Sequence, residues 1–281
     1  MTGVTIIATG FDWRIPRITD RRAISQRAFL GVSALLFVGS AALTIFWCAS
    51  MSAMKQMPMP GGWTMSMAWL RMPGETWSSA AASFLGMWIV MMVGMMLPSL
   101  VPMLCRYRRA VGRTGKSRMG RLTALAGAGY FCVWMVCGMA IFPLAAALDE
   151  IEMQQAGLAR AVPMAAAVVV VIAGAIQFTA WKSHHLALCR EIPGRGRTLP
   201  GDGGTAWRQG MSFGLHCGLS CANLTAILIV IGVMDLRAMA VVTAAITIER
   251  LATRSERTAR AIGAVIVGAG LVLIGRAAGL G

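Results

Sequence analysis

The residues best suited to chemistry in this sequence carry thiol or imidazole groups, and all three histidines gather with three of the seven cysteines in two short segments. Residues four apart share one face of a helix. His185 therefore pairs with Cys189, and Cys217 pairs with Cys221. Thiolate and imidazole are ligands for Cu(I) and for zinc. The two segments predict a metal site shared by two helices, with His216 as a substitute ligand. The full set is His185, Cys189, His216, Cys217 and Cys221.

Methionine supplies a second set of sulfur atoms, since the chain contains 22 of these residues. Met87, Met91 and Met95 are spaced four apart and share a helical face. Met92 and Met96 form a neighbouring pair. Thioether sulfur prefers Cu(I), which predicts a stripe able to pass that ion from site to site. Ordinary packing stays open as the alternative, because methionine fills irregular apolar cores well.

A methionine-rich segment precedes this stripe and is interleaved with Trp63, Trp69 and Trp77. It could bind Cu(I) in an oxidising compartment, because thioether needs no deprotonation. It could equally be an amphipathic interfacial segment, with tryptophan at the level of the lipid headgroups. Both interpretations stay open. Its methionines are Met51, Met54, Met57, Met59, Met65, Met67 and Met72.

The elements that would position these groups are long apolar runs. The chain is 57% hydrophobic and only 13% charged. Crossing a bilayer takes about 20 apolar residues, and runs of this length indicate helices rather than a barrel. We therefore expect an all-α, polytopic membrane helix bundle with about seven transmembrane helices. The predicted spans are Ala28–Cys48, Phe84–Leu104, Leu122–Leu148, Val162–Trp181, Met211–Met234, Leu236–Leu251 and Ala261–Leu280.

The net charge of +15 is distributed in short basic runs between the spans, which argues against nucleic-acid binding and favours contact with membrane lipid. Basic residues cluster before the first span and after the second, fourth and sixth spans. Lysine and arginine stay on the cytoplasmic side, so we expect a cytoplasmic N-terminus in a bacterial inner membrane. The chain then divides into a basic arm (1–27) and a transmembrane domain (28–281). The domain includes an outer loop (49–83) and a cytoplasmic loop (182–210).

Glu249 lies near the inner end of the sixth span. Ionisable groups inside membrane helices are functional candidates, although its neighbour Arg250 favours a structural salt bridge or an interfacial position. The sequence contains no Walker A, HExxH, GxSxG or dinucleotide-binding motif. We therefore do not expect an enzyme.

Four blocks resemble the DUF2182 family of integral membrane proteins, for which metal binding is predicted. Met95–Ser99 (MMLPS) is similar to its MMLPS signature. Ile176–Arg190 and Trp207–Cys221 are similar to two cysteine-containing blocks of the family, and Gly232–Glu249 is similar to a further one. The resemblance covers roughly residues 84–251 and implies a membrane-embedded metal-binding protein.

The resemblance also implies which positions belong to the family pattern. His185 stands where many relatives have cysteine, which keeps a soft ligand. Ser220 stands where many have a further cysteine, which removes one. A site that used that thiol would be weaker in this chain. The matching positions are Cys189, Cys217, Cys221, Met234 and Glu249.

These observations favour a membrane protein that handles Cu(I), as a transporter or as a metallochaperone in cuproenzyme assembly. Its partner would be a periplasmic copper protein or a cuproenzyme assembly factor. Zinc is the second metal that the cysteine and histidine residues suit. Two alternatives remain: a protein-interaction module without metal, and a haem-binding redox protein that uses His216 with His184 or His185.

Overall fold

A computed structural model describes residues 21–53, 57–58, 64–65, 76–111, 116–190 and 200–279. These residues form eight helices and one pair of two-residue strands. The helices are α1 (Arg21–Ala53), α2 (Trp77–Ala110), α3 (Lys116–Gln154), α4 (Ala156–Ile176), α5 (Ala180–Arg190), α6 (Gly203–Ile231), α7 (Leu236–Leu251) and α8 (Ser255–Ala277). The strands β1 (Met57–Pro58) and β2 (Thr64–Met65) pair antiparallel, with Met57 opposite Met65.

Six of the helices, all except α5 and α7, are long and apolar enough to cross a membrane. Their outer surfaces carry large exposed apolar side chains, such as Leu35 at 74% and Val265 at 72% exposure. Such surfaces suit lipid better than water, and the all-α fold class is confirmed. α7 coincides with the sixth predicted span, but its 16 residues extend only about 24 Å, which is short of a typical hydrocarbon core.

The fourth predicted span is interrupted where the sequence suggested one helix. α4 ends at Ile176, and a turn at Gln177, Phe178 and Thr179 precedes α5. The hydroxyl of Thr179 accepts a hydrogen bond from the backbone N–H of Lys182 at 3.3 Å, which caps the new helix. The sequence predicts a loop over 182–210, but this segment is helical at both ends.

Close glycine contacts fix how the long helices pair. On α6, a Cβ at Gly214 would lie 3.0 Å from the Val133 side chain, and one at Gly210 would collide with Ala126. The later glycine of α6 meets the later residue of α3, so α3 and α6 run parallel. Along α8, a Cβ at Gly270 would lie 2.6 Å from Val171 on α4. Small residues thus bring these backbones together, as in membrane helix pairs.

α2 occupies the interior and is flanked by α1, α3 and α7. It is antiparallel to α3, since the Trp88 indole donates to the Trp134 carbonyl at 2.9 Å and Arg108 donates to Thr123 at 3.3 Å. The helix continues through Pro98. Its methionines are buried in the same core as Cys217 and Cys221. Those methionines are Met87, Met91, Met92, Met95, Met96 and Met103.

The methionine-rich outer loop falls largely beyond the described residues. Met51 lies in α1, which continues to Ala53. Met57 and Met65 are paired through the strands. Met54, Met59, Met67 and Met72 lie outside the described residues, as does most of the basic arm 1–27. Copper binding by this loop therefore stays a prediction.

Candidate metal centre

Two thiols on α6 form the middle of the candidate centre. Cys217 and Cys221 are 0% and 1% exposed, and they lie one helical turn apart. The Cys221 thiol donates to the Cys217 carbonyl at 2.9 Å. A hydrogen bond of 2.7 Å joins the phenol of Tyr130, on α3, to the Cys217 sulfur. Because α3 and α6 run parallel in close contact, Tyr130 reaches Cys217 from across the helix pair.

Ser220 connects these thiols to α5 and α7. Its hydroxyl donates to the Cys217 carbonyl at 2.9 Å and lies 3.6 Å from the sulfur of Cys189. It also accepts a hydrogen bond from Arg250 at 2.9 Å. Ser220 therefore stands inside the centre, at the position where the resemblance implies a further thiol in many relatives. The structure brings Cys189 to the same side of α6 as Cys217.

Arg250 places a positive charge directly beside the thiols. Its side chain is only 6% exposed, and its guanidinium also donates to the Cys217 carbonyl at 3.2 Å. On the other side, it lies 3.9 Å from the sulfur of Met103 on α2. Within the described residues, no carboxylate pairs with this guanidinium. Burying a charge without a counter-charge costs several kcal/mol, so the site favours an anionic occupant or ligand set.

A buried charge pair lies against the same turn of α6. Lys182 and Glu249 form a salt bridge of 2.8 Å, with side chains 1% and 2% exposed. Gln177 donates to the other carboxylate oxygen at 2.7 Å, and Lys182 also donates to the Ser220 carbonyl. The salt bridge expected for Glu249 is thus present, with Lys182 as its partner. Its sequence neighbour Arg250 points instead towards the thiols, because adjacent residues on a helix diverge by about 100°.

The histidines lie apart from this charged cluster, between α5 and α6. The imidazoles of His185 and His216 face each other with ring centroids 6.0 Å apart, and Trp181 packs edge-on against His185 at 4.7 Å. The Nδ1 atoms of both histidines are buried and have no hydrogen-bond partner among the residues that the structure describes. Desolvation, with the neighbouring His184 and His216, lowers the pKa of His185. The neutral imidazole, which is the metal-binding form, is therefore favoured.

The structure sorts the expected ligands into two groups. Cys189, Cys217 and Cys221 surround Ser220 and Arg250, whereas His185 and His216 form a pair of their own. Within the described residues, no three side chains of His, Cys, Asp or Glu converge as a preformed metal site. A four-coordinate cysteine and histidine site is therefore not assembled in this conformation. Burial raises the pKa of the Cys189 thiol, against the opposing charges of Arg250 and Lys182.

The remaining predicted positions lie elsewhere in the core. Met91, Met92, Met95 and Met96 are 0–5% exposed along α2. Met234 lies at the opposite end of the bundle, in the turn between α6 and α7. The methionine stripe of α2 lies between the Cys217 end of the bundle and the end that carries Met234.

Sequence reasoning missed two contributors to the centre. Lys182 directly follows an apolar span and precedes the histidines, a position that the charge pattern assigns to the basic residues after the fourth span. Tyr130 was not considered, yet it is one of only two tyrosines in the chain and lies inside an apolar span. A phenol in that position needs a hydrogen-bond partner, and this requirement was the available signal.

The fold and the centre together define a helical bundle of membrane type, with soft ligands and buried charges enclosed between its helices. A sequence profile of the PpoB2 family, described as copper chaperones, matches residues 85–273. The match covers about two thirds of the chain, and the protein belongs to this family. No curated protein and no solved structure matches the chain. The family description supports the expected role with copper and suggests a non-catalytic function.

Proposed function

We propose that this protein is a multi-pass inner-membrane copper chaperone of bacteria, which binds Cu(I) at the Cys217 centre and delivers it to a copper protein. The Cys217 centre comprises Cys189, Cys217, Ser220, Cys221 and Arg250. Family membership supports copper as the cargo. The six long apolar helices support placement in a membrane.

One observation carries the proposal: a buried guanidinium lies among three buried thiols without a carboxylate partner in the described residues. Two thiolates that bind Cu(I) form a unit of net charge −1. Arg250 supplies the matching positive charge through its contacts with Ser220 and the Cys217 carbonyl. Thiols packed only for their bulk would be neutral, and they would leave the positive charge of Arg250 without a counter-charge. The centre is therefore suited to hold a copper–thiolate unit in an apolar interior.

The ligand chemistry favours Cu(I) over zinc. Thiolate and thioether sulfur select Cu(I), which is satisfied by two or three ligands. Structural zinc usually takes four ligands in a tetrahedron. In the described residues the thiols and imidazoles form separate groups, and a serine occupies position 220. A two-coordinate Cu(I) at Cys217 and Cys221 needs no third converging side chain and fits this arrangement.

The histidine pair suggests a transient binding site for the ion on α5 and α6. His185 and His216 lie on the two helices that carry Cys189 and Cys217, and their buried Nδ1 atoms have no hydrogen-bond partner in the described part of the chain. A neutral imidazole binds Cu(I) less tightly than a thiolate does, so the pair is suited to transient binding during exchange. The recipient is a periplasmic copper protein or a factor that assembles a cuproenzyme. Movement towards that side would follow the methionine stripe of α2.

The proposal is tested by Cu(I) titration of the purified full-length protein, performed anaerobically in detergent against a chromogenic Cu(I) chelator. The test variant is Cys217→Ser with Cys221→Ser. The matched control is Cys105→Ser with Cys132→Ser, which also removes two thiols. The test variant should lose one equivalent of bound Cu(I), and the control should bind as the wild type does. Equal binding by all three proteins would refute the proposal.

A second pair of variants isolates the role of charge. Arg250→Gln should weaken Cu(I) binding by about tenfold or more, because a hydrogen bond to a charged group contributes about 1.5–3 kcal/mol. Arg250→Lys keeps the positive charge and should retain most of the affinity. If both variants weaken Cu(I) binding equally, the guanidinium acts through packing and not through charge.

A further inference from the structure

Two sulfur atoms from distant parts of the chain meet at the far end of the bundle. Cys48, near the end of α1, is 2% exposed, and its sulfur lies 3.6 Å from that of Met234. Met234 lies in the turn between α6 and α7. The two residues are 186 positions apart. Their meeting is therefore a product of the fold and not of local sequence.

The turn that carries Met234 is held on both sides. Gly232 ends α6 with φ +136°, a conformation that other residues rarely adopt, and its N–H bonds to the Leu228 carbonyl at 3.0 Å. Val233 is fully buried. Asp235 caps α7 by accepting a hydrogen bond from the Ala238 N–H at 2.9 Å. Met234 is thus positioned by anchors before and after it.

This sulfur pair is separate from the Cys217 centre. α1 and α2 are antiparallel, because Gln26 donates to the Cys105 sulfur at 3.1 Å whereas Gly94 lies against Ser40. That pairing sets Cys48 level with Met87, where the methionine stripe begins. From Met87 to Met103, which touches Arg250, α2 rises about 24 Å. The Lys and Arg pattern places the Cys48 end outside.

We infer that Cys48 and Met234 form a second Cu(I) site, through which the ion enters or leaves the bundle at the outer end. The inference rests on the proposed function, since it takes Cu(I) as the cargo. Metal–sulfur bonds are about 2.3 Å long, so two sulfurs on one ion lie no more than about 4.6 Å apart. The observed 3.6 Å meets that limit and corresponds to an angle of roughly 100° at the metal.

Such an angle leaves a coordination position for a third ligand. A thioether or imidazole of a partner protein could occupy that position while the ion changes hands. Thiolate with thioether is a soft, low-coordinate ligand set that suits Cu(I) and disfavours zinc and magnesium. The site lies at the start of the buried methionines, so an ion bound there stands next to the stripe.

The experiment removes the outer pair while leaving the Cys217 centre intact. Cys48→Ser and Met234→Leu are purified in full-length form and titrated anaerobically with Cu(I) against the same chelator. Met139→Leu is the matched control, because Met139 is 58% exposed on α3. Each outer variant should lose one equivalent or bind it at least tenfold more weakly. The control should bind as the wild type does.

X-ray absorption of the Cu(I)-loaded Cys217→Ser, Cys221→Ser variant provides a second readout that does not depend on the stability of the outer variants. Copper retained there should show sulfur neighbours, and these should be lost when Cys48→Ser is added. If the outer variants match the wild type while the Cys217→Ser, Cys221→Ser variant loses one equivalent, the outer site is refuted and the proposed function stands. If the wild type binds no Cu(I), both are refuted.

Discussion

The buried pair of Lys182 and Glu249 offers the sharpest test of how the centre is built. The two side chains are 1% and 2% exposed and lie 2.8 Å apart. Removal of one partner leaves the other charge buried, which costs about 3–5 kcal/mol. We expect Lys182→Met and Glu249→Gln each to destabilise the protein by an amount in this range.

The double variant separates charge pairing from packing. Removing both charges eliminates the uncompensated ion, so Lys182→Met with Glu249→Gln should cost at least about 2 kcal/mol less than the sum of the single variants. Gln177 can still bond to the amide that replaces the carboxylate. This difference is the coupling free energy between the two positions, and its size would be that expected of a direct buried ion pair.

The assay is reversible denaturation with sodium dodecyl sulfate in mixed micelles, followed by tryptophan fluorescence. Glu256 and Arg260 provide the control, since their salt bridge of 2.7 Å lies on the surface of α8 with side chains 60% and 57% exposed. Breaking that pair should cost no more than about 1 kcal/mol. If the single variants at the buried pair cost no more than the control, or if their effects simply add, the reasoning is refuted.

Three further predictions concern copper and topology. Ser220→Cys should tighten Cu(I) binding, because it adds a thiol 3.6 Å from the Cys189 sulfur in place of the hydroxyl; unchanged affinity in the chelator titration would count against Ser220 as part of the centre. Met91→Leu with Met95→Leu should slow copper delivery while leaving stability nearly unchanged, since such swaps usually cost less than about 1.5 kcal/mol. Wild-type cellular copper handling would then assign these residues to packing. Reporter fusions at Ser117 and Arg254 should report a cytoplasmic location, and an external signal at either position would overturn the predicted orientation.

The sequence by itself determined the class of fold, because the length and apolarity of each run are enough to define a membrane-type helix. It also located the thiol, thioether and imidazole side chains along the chain. Spacing of four residues placed Cys217 with Cys221 correctly on one face of α6. The break between α4 and α5 was missed, because Thr179 caps the start of α5 through a local hydrogen bond that hydropathy does not record.

Tertiary structure alone decided which groups meet. Helices that are apolar around most of their circumference give no strong signal of which face turns inward or which helix is the neighbour. The sequence therefore could not show that Glu249 pairs with Lys182, that Arg250 turns towards the thiols, or that the histidines stand apart from the cysteines. It gave equally little reason to join Cys48 to Met234. Those contacts follow from how the helices pack, since α5 packs on α6 and α7, and α1 and α7 both pack on α2.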